Sequence, residues 1–287
     1  MAETPDELGA HVSAEGGLHL VHARAAEVGA RVLQLFTKQP SRWAEPKLSE
    51  EDLAAFAAER RAHAVVVAVA HDSYLINLAS PDRRLRRISQ RAFGAELQRS
   101  QALGLDFVVT HPGNAMGPDL ESGIARNADA IAESLESTGG SVRVALELTS
   151  GSGTSVGGTF EHLRAIIDRL PAQHRARVGV CVDTCHAYSA GYDLVGDYDG
   201  VWARFDDAVG LERLWLLHLN DSKHPFASRR DRHEAIGKGS LGLEPFRRIM
   251  RDERLRRVPK ILETPKEDDA VRADRANLAL LRSLRAD

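Results

Sequence analysis

Eight short apolar runs rich in β-branched residues recur along the chain, at 8–12, 32–36, 65–70, 107–110, 142–148, 178–182, 214–219 and 260–262. Their length and composition suit buried strands. The stretches between them carry helical spacing: in 49–62, Leu53 and Phe56 fall on one face, and 84–103 is rich in helix formers. Strand alternating with helix predicts a parallel sheet with right-handed crossovers. Eight such units spread evenly over 287 residues predict an α/β fold of the (β/α)8 TIM-barrel type, as a single domain over 1–287. Three connections are longer and polar, 37–47, 151–159 and 221–242. All three follow strands, and the loops after strands build the active face of such a barrel.

Composition narrows the picture only a little. With 43% hydrophobic and 28% charged residues the chain reads as an ordinary globular protein. No apolar run is long enough to cross a bilayer, and residues 1–7 are polar and acidic, unlike a secretory signal. The expectation is a cytoplasmic protein with no membrane partner. Cys181 and Cys185 are too few for a disulfide framework, and one C-x3-C pair does not complete a structural zinc site. Both are expected to be small core residues. The formal net charge of −3 runs against nucleic-acid binding, but three bound divalent cations would turn it into +3.

That possibility is raised by where the imidazoles and carboxylates fall. His71, His111, Glu147, Asp183, His218 and Glu263 each stand at or just past the carboxyl end of a predicted strand. Their gaps of 40, 36, 36, 35 and 45 residues are close to one eighth of the 287-residue chain, so barrel closure would gather them at one mouth. Carboxylates confined together repel one another or take up protons unless cations compensate. Mixed imidazole and carboxylate donors suit zinc, with manganese or iron possible at one site. Two local patterns add to the ring: Asp183 and His186 in CVDTCH, and Asp231 and His233 in RRDRH, where alternation lets both face one ion. Nine ligands are too many for one metal.

A single buried histidine is more often a hydrogen-bonded core residue than a ligand. His19, His22, His63, His162 and His174 fall in helical or solvated stretches and take that reading. The ring differs by recurrence. His11, ending the first strand, also faces the mouth and is expected to support a ligand or touch a phosphate. Ser73, Ser222 and Cys185 form no Ser-His-Asp pattern and read as turn or packing residues.

The stretches GAHVSAEGGL, LQLFTK, HDSYLINL, HPG, CVDTCHAYSAGYDL, HLNDSK and SRRDRHEAIGKGSLGL, in this order between about residues 8 and 265, resemble the endonuclease IV family of abasic-site repair enzymes. The resemblance implies a TIM barrel holding three zinc ions at the strand carboxyl ends. It implies His71, His111, Glu147, Asp183, His186, His218, Asp231, His233 and Glu263 as ligands, with Glu147 bridging two ions and also helping to orient the attacking water. His71 and His111 complete the first site, Asp183, His218 and Glu263 the second, and His186, Asp231 and His233 the third. The activity implied is a phosphodiester hydrolase of the deoxyribonuclease IV type, cutting double-stranded DNA 5′ to an abasic site in base excision repair and leaving a 3′-hydroxyl and a 5′-deoxyribose phosphate. Duplexes with 3′-blocked damage are further implied partners; no obligate protein partner is expected, and the chain is expected to act as a monomer, associated with the nucleoid. Tyr74 and Leu75 match positions that wedge into the DNA stack. Lys38, Arg42, Lys223, Arg229, Arg230 and Arg232, in loops after strands, are candidate phosphate contacts, whereas Arg84, Arg86 and Arg87 read as a solvated helix face.

The chain departs from the family pattern in three places. Gln39-Pro40-Ser41-Arg42-Trp43 moves an arginine by one place relative to Asn-Pro-Arg-Gln-Trp. Glu147-Leu148-Thr149 replaces Glu-Asn-Thr beside the bridging carboxylate, and Lys238 stands between glycines where an acid is frequent. Two other functions fit the same scaffold. A divalent-metal sugar isomerase or epimerase would use two metals and a lysine or acid placed for proton transfer, and a non-catalytic DNA-damage binding protein would keep the loops but lose ligands.

Overall fold

The computed structural model describes residues 7–266 and 269–285; the polar start at 1–6 lies outside them. Eight parallel strands close into a barrel: β1 (Leu8–His11), β2 (Val32–Leu35), β3 (Val67–His71), β4 (Phe107–Thr110), β5 (Val144–Glu147), β6 (Val178–Asp183), β7 (Leu214–His218) and β10 (Lys260–Leu262). The strands neighbour one another in chain order, and β10 pairs with both β7 and β1. Each lies within two residues of an apolar run. The two remaining strands, β8 (Asp221–Ser222) and β9 (His233–Glu234), pair antiparallel inside the long connection after β7.

Helices fill the outer ring: α1 (Leu20–Glu27), α2 (Glu50–Ala62), α3 (Arg83–Ala102), α4 (Leu120–Thr138), α5 (Phe160–Arg169), α6 (Ala172–Arg175), α7 (Thr184–Ala190), α8 (Tyr198–Ala208), α9 (Glu244–Arg251) and α10 (Ala270–Arg285). Their starts follow local chemistry. Ser49 and Asp52 form a reciprocal capping box on α2, and the Asp82 carboxylate accepts from the Leu85 amide at 2.7 Å on α3.

Strand side chains alternate between two apolar layers. Val32, Val69, Phe107, Val109, Ala145, Cys181, Leu216 and Ile261 pack together inside the barrel. The residues between them, such as Leu33, Ala68, Val108, Leu146, Val180, Leu217 and Leu262, face the helices. Burying each large aliphatic side chain contributes about 1.5–3 kcal/mol, so slipping any strand by one residue would exchange the layers at a prohibitive cost. This fixed parity also sets what happens at the barrel mouth. Among the described residues no helix is long and apolar enough to cross a membrane.

Candidate metal centre

Two residues beyond the inner apolar layer, the same inward parity continues with polar side chains. Val32 is followed by Gln34, Val69 by His71, Val109 by His111, Ala145 by Glu147, Cys181 by Asp183, Leu216 by His218 and Ile261 by Glu263; Gly9 is followed by His11. Pairing sets His11 opposite Gln34 and Asp183 opposite His218, while Gln34 lies opposite Val69, His71 opposite Val109, Glu147 opposite Cys181 and Ile261 opposite His218, the stagger with which tilted strands close a barrel. Eight strands thus deliver eight polar groups to one ring.

Glu147 is its centre and is fully buried. Its Oε2 lies 3.1 Å from Nε2 of both His71 and His111. Its Oε1 lies 3.1 Å from His186 Nδ1 and 3.2 Å from His218 Nδ1. His218 Nδ1 also stands 3.2 Å from Glu263 Oε2 and 4.0 Å from Asp183 Oδ2. On the far side, His186 Nε2 is 3.2 Å from Asp231 Oδ2, while His233 Nε2 is 3.5 Å from both Asp183 and Asp231. Potential ligand atoms gather in four overlapping groups: His71, His111 and Glu147; Glu147, Asp183, His218 and Glu263; Asp183, His186 and His233; and Cys185, Asp231 and His233, with Asp231 also beside His186.

The long 221–242 connection supplies Asp231 and His233. Its base is held by the buried Asp221, whose carboxylate accepts from the amides of Ser222, Gly239 and Leu241 at 2.7–3.0 Å. Gly239 is required there, because a Cβ would sit 2.5 Å from Asp221 Oδ1 and 2.3 Å from the Ser222 carbonyl. Its tip is tied to α7: Ala227 and Arg229, both in left-handed backbone, donate to the Tyr188 and Ser189 carbonyls at 3.1 and 3.0 Å. The β8–β9 pairing then turns His233 inward.

The donor chemistry fits cations. His71 Nδ1 faces the Asp72 carbonyl at 2.9 Å, His186 Nδ1 the Leu148 carbonyl at 3.0 Å, and His233 Nδ1 the Glu263 carbonyl at 3.1 Å. A carbonyl only accepts, so each Nδ1 carries a proton and each Nε2 is left to face carboxylates, as a lone pair when the ring is neutral or with a second proton when no other cation is there. The buried Nε2 atoms of His186 and His233 make no hydrogen bond at all. Lone pairs facing anions at 3.2–3.5 Å are unfavourable unless something positive lies between them. The electrostatics agree. Burial pushes the Glu147 carboxyl up, but the imidazoles of His111 and His218 outweigh it and hold it well below the usual range. Burial opposes charge on His71, yet its hydrogen bond and proximity to Glu147 raise it to about 10. The cluster therefore demands positive charge, and protons and metal ions compete for it.

Two further side chains orient the ligands. Gln34, fully buried, has its Oε1 2.9 Å from His218 Nε2, while its amide nitrogen donates to Glu263 and stands 2.9 Å from His11 Nδ1. Asn220 donates to Asp183 Oδ2 at 2.6 Å and accepts from the Glu263 amide at 2.9 Å. Neither stands out as a site residue in the sequence. A polar residue at the inward parity of an apolar strand, two past Val32, is the signal for Gln34; Asn220, directly after β7 and Leu219, carries none of that strength.

Known proteins with this architecture include the xylose isomerase-like TIM barrels, whose family model matches residues 22–284. A probable endonuclease 4 of Chloroflexus aggregans is 46% identical over 279 residues, covering 96% of each chain. The crystal structure of endonuclease IV from Thermus thermophilus superposes with a TM-score of 0.86 at 34% identity, over 96% of this chain and 98% of that one. The chain belongs to the endonuclease IV family. The D-psicose 3-epimerase of Clostridium cellulolyticum H10, at 16% identity, a TM-score of 0.67 and coverage of 97% and 99%, shares only the fold. An endonuclease IV enzyme, rather than a sugar epimerase, is what the closer relatives support.

Within the endonuclease IV frame, the Leu148 departure is explained by its backbone. Its side chain is buried in the outer layer, its amide donates to the Cys181 carbonyl at 2.9 Å, and its carbonyl orients His186. The main chain performs the polar task at this position. A cleft of about 300 Å³ opens beside the cluster, lined by His71, Tyr74, Asn77, His111, Asn114 and Asp231 among others. Tyr74 is 68% exposed, edge-on to Phe36 with ring centres 5.2 Å apart, and Leu75 is half-buried beside it. Arg42, Lys223, Arg229, Arg230 and Arg232 are exposed, and Arg229 also donates to the Gly151 carbonyl at 3.0 Å. Lys38 differs: its ammonium is buried on Glu45 at 2.6 Å, so reaching a phosphate would require opening that pair. His11 lies 3.5 Å from Glu263 and on Phe36, supporting the ring. Cys181 and Cys185 are buried, and burial pushes both thiols up to about 12, in keeping with packing residues.

Proposed function

We propose that the chain is a DNA repair endonuclease that hydrolyses the phosphodiester 5′ to an abasic site with three zinc ions, leaving a 3′-hydroxyl and a 5′-deoxyribose phosphate. It works as a single barrel in the cytoplasm, on chromosomal duplex DNA. The observation that carries this reading is Glu147 between two pairs of imidazoles, with further groups of potential ligands contiguous to it. His71 and His111 with Glu147 would hold one ion, Asp183, His218 and Glu263 with Glu147 a second, and His186, Asp231 and His233 the third. Such ions would supply an activated water near neutral pH and charge to stabilise the phosphate oxygens during in-line displacement.

The chain's own residues do the rest. Glu147, buried between four imidazoles, would hold the first two ions, keeps the ligand groups at fixed separation and would help to orient the nucleophile. Gln34 and Asn220 lock ring and carboxylate orientations, which typically matters 10–100-fold for metal affinity. Tyr74, exposed at the cleft rim with Leu75 beside it, fits a wedge that props a gap in the stack, and an abasic nucleotide is cheap to extrude because no base must be unstacked. Arg42, Lys223, Arg230 and Arg232 surround the same mouth as phosphate contacts.

A duplex carrying one abasic site, incubated with the purified protein with and without a strong chelator, tests the reading. Incision 5′ to the site, lost on chelation and in Glu147→Gln, is expected. Turnover of a free sugar without a nick would hand the fold to the isomerase reading, and binding without incision in zinc-replete buffer would make the chain a damage-binding protein.

A further inference from the structure

Helix α3 carries a stripe of arginines for which no ion pair forms among the described residues. Arg83, Arg84, Arg87 and Arg91 are exposed on its first turns. Among the described residues, the arginine of α3 that forms ion pairs is Arg99, with Glu45 and Glu96 at the other end of the helix. Arg86 folds back to donate to the Ser80 carbonyl at 2.7 Å. Arg84, Arg87 and Arg91 stand three and then four residues apart, so they share one face. Like charges so placed repel by a few tenths of a kcal/mol per pair. The first turn contains no acid, so the cations also oppose the positive end of the helix dipole. The capping carboxylate at that end, Asp82, is engaged by the Leu85 amide. In water the arrangement is mildly unfavourable; beside a row of phosphates it is favourable.

The stripe starts at the same end of the barrel as the cleft. A helix that follows a barrel strand begins at the end of the barrel that holds the ligands, and α3 follows His71 after the 72–82 connection. That connection carries the exposed Tyr74 and the cleft residue Asn77, whose amide donates to Ser89 Oγ on α3 at 3.0 Å. Arginine stripe, tyrosine and cleft are thereby fixed to one another. From Arg84 to Arg91 the helix rises about 10 Å, which matches about three phosphate steps of one strand at about 3.4 Å each.

We propose that Arg84, Arg87 and Arg91 grip the phosphate backbone of the bound duplex on the flank beyond the damaged nucleotide, lengthening the footprint past the mouth. The inference rests on the reading of the chain as an enzyme of abasic duplex DNA. Neutralising a phosphate releases a counterion, so each contact steepens the salt dependence of binding by about 0.9 in log–log slope. Replacing the three arginines by glutamine, which keeps helix propensity, should lower the slope by up to about 2.7, or about 40-fold less weakening between about 50 and 200 mM salt.

The test is fluorescence anisotropy of the zinc-loaded protein on an abasic duplex of about 30 bp whose linkage 5′ to the site is a non-hydrolysable phosphate analogue, with the slope compared between wild type and Arg84→Gln/Arg87→Gln/Arg91→Gln. The incision rate at saturating substrate is measured alongside in zinc. A lower slope on the long duplex, no change on a duplex of about 8 bp, an unchanged saturating rate and a slope restored by Arg84→Lys/Arg87→Lys/Arg91→Lys are expected. Equal slopes for wild type and the glutamine variant on the long duplex overturn the proposal, and would leave the stripe to an acidic protein or to solvent. A wild type that neither prefers nor cuts abasic duplex defeats the underlying functional reading instead, and this inference falls with it.

Discussion

Replacing Asn220 by alanine isolates how much the ligand set depends on its supports. The side chain is fully buried and makes two bonds, one donated to Asp183 Oδ2 at 2.6 Å and one accepted from the Glu263 amide at 2.9 Å. Its own backbone bonds to Thr184 are untouched by the change. Losing a hydrogen bond to a charged carboxylate costs about 1.5–3 kcal/mol, and orphaning a buried amide about 1–3 kcal/mol more. The sum, about 4 kcal/mol, is a large share of the 5–15 kcal/mol that holds an ordinary domain together. Both ligands it frees, Asp183 and Glu263, belong to the same ligand group. Zinc affinity at that group should fall about 10–100-fold, as expected when an orienting partner is lost. Competition against a fluorescent zinc chelator reads the affinity, and thermal unfolding with and without chelator reads the stability. Leu216→Ala, in the inner apolar layer, controls for instability alone, since it should cost about 2–5 kcal/mol without weakening zinc specifically. If Asn220→Ala holds zinc as tightly as wild type, or loses no more than Leu216→Ala, the argument that amides preset these ligands is wrong.

Two other changes probe parts of the fold that sequence patterns describe less directly. Arg99 ties α3 to the 37–47 connection through Glu96, Thr37 and Glu45. Arg99→Met leaves Glu96 buried without its cation and should cost about 3–5 kcal/mol in urea unfolding, with much of it recovered by adding Glu96→Gln; a loss below about 1 kcal/mol would show the pair to be idle. His22 is buried against Phe56 with neither ring nitrogen hydrogen-bonded, and burial, helped by Arg60 and His63, lowers its pKa to about 4. An unfolded chain takes that proton near pH 6.5 and the native ring only near 4. Its share of stability is thus whole above 6.5 and lost as pH falls toward 4, by about 2–3 kcal/mol. His22→Leu should flatten this part of the stability profile; an unchanged drop between pH 7 and 4.5 would contradict it.

The strands were legible because parallel barrel strands are buried on both faces and read as continuous apolar runs. The clustered imidazoles and carboxylates were legible because charge is conspicuous at the end of such a run. Gln34 was not, although it shares on β2 the inward parity that His71 has on β3, opposite Val69. An uncharged amide inside an apolar run reads as an ordinary strand residue until its neighbours are known. The tie between Lys38 and Glu45 depends on how the 37–47 connection folds over, and periodicity says nothing about that. Leu148 shows a different limit: what the position needs is a carbonyl aimed at His186, and every residue type has one. The 221–242 connection was marked as functional by its length and polarity, but its two-residue strands are too short to leave a pattern.

The proposed function depends on side chains from the barrel strands and one long loop forming a single multi-ion site centred on Glu147. Metal content per chain, measured by elemental analysis and by native mass spectrometry of protein purified in zinc-containing buffer, tests it most directly. Three zinc ions in the wild type, with fewer in Glu147→Gln, agree with it. One ion or none in well-folded wild-type protein, or three ions unaffected by Glu147→Gln, would contradict it.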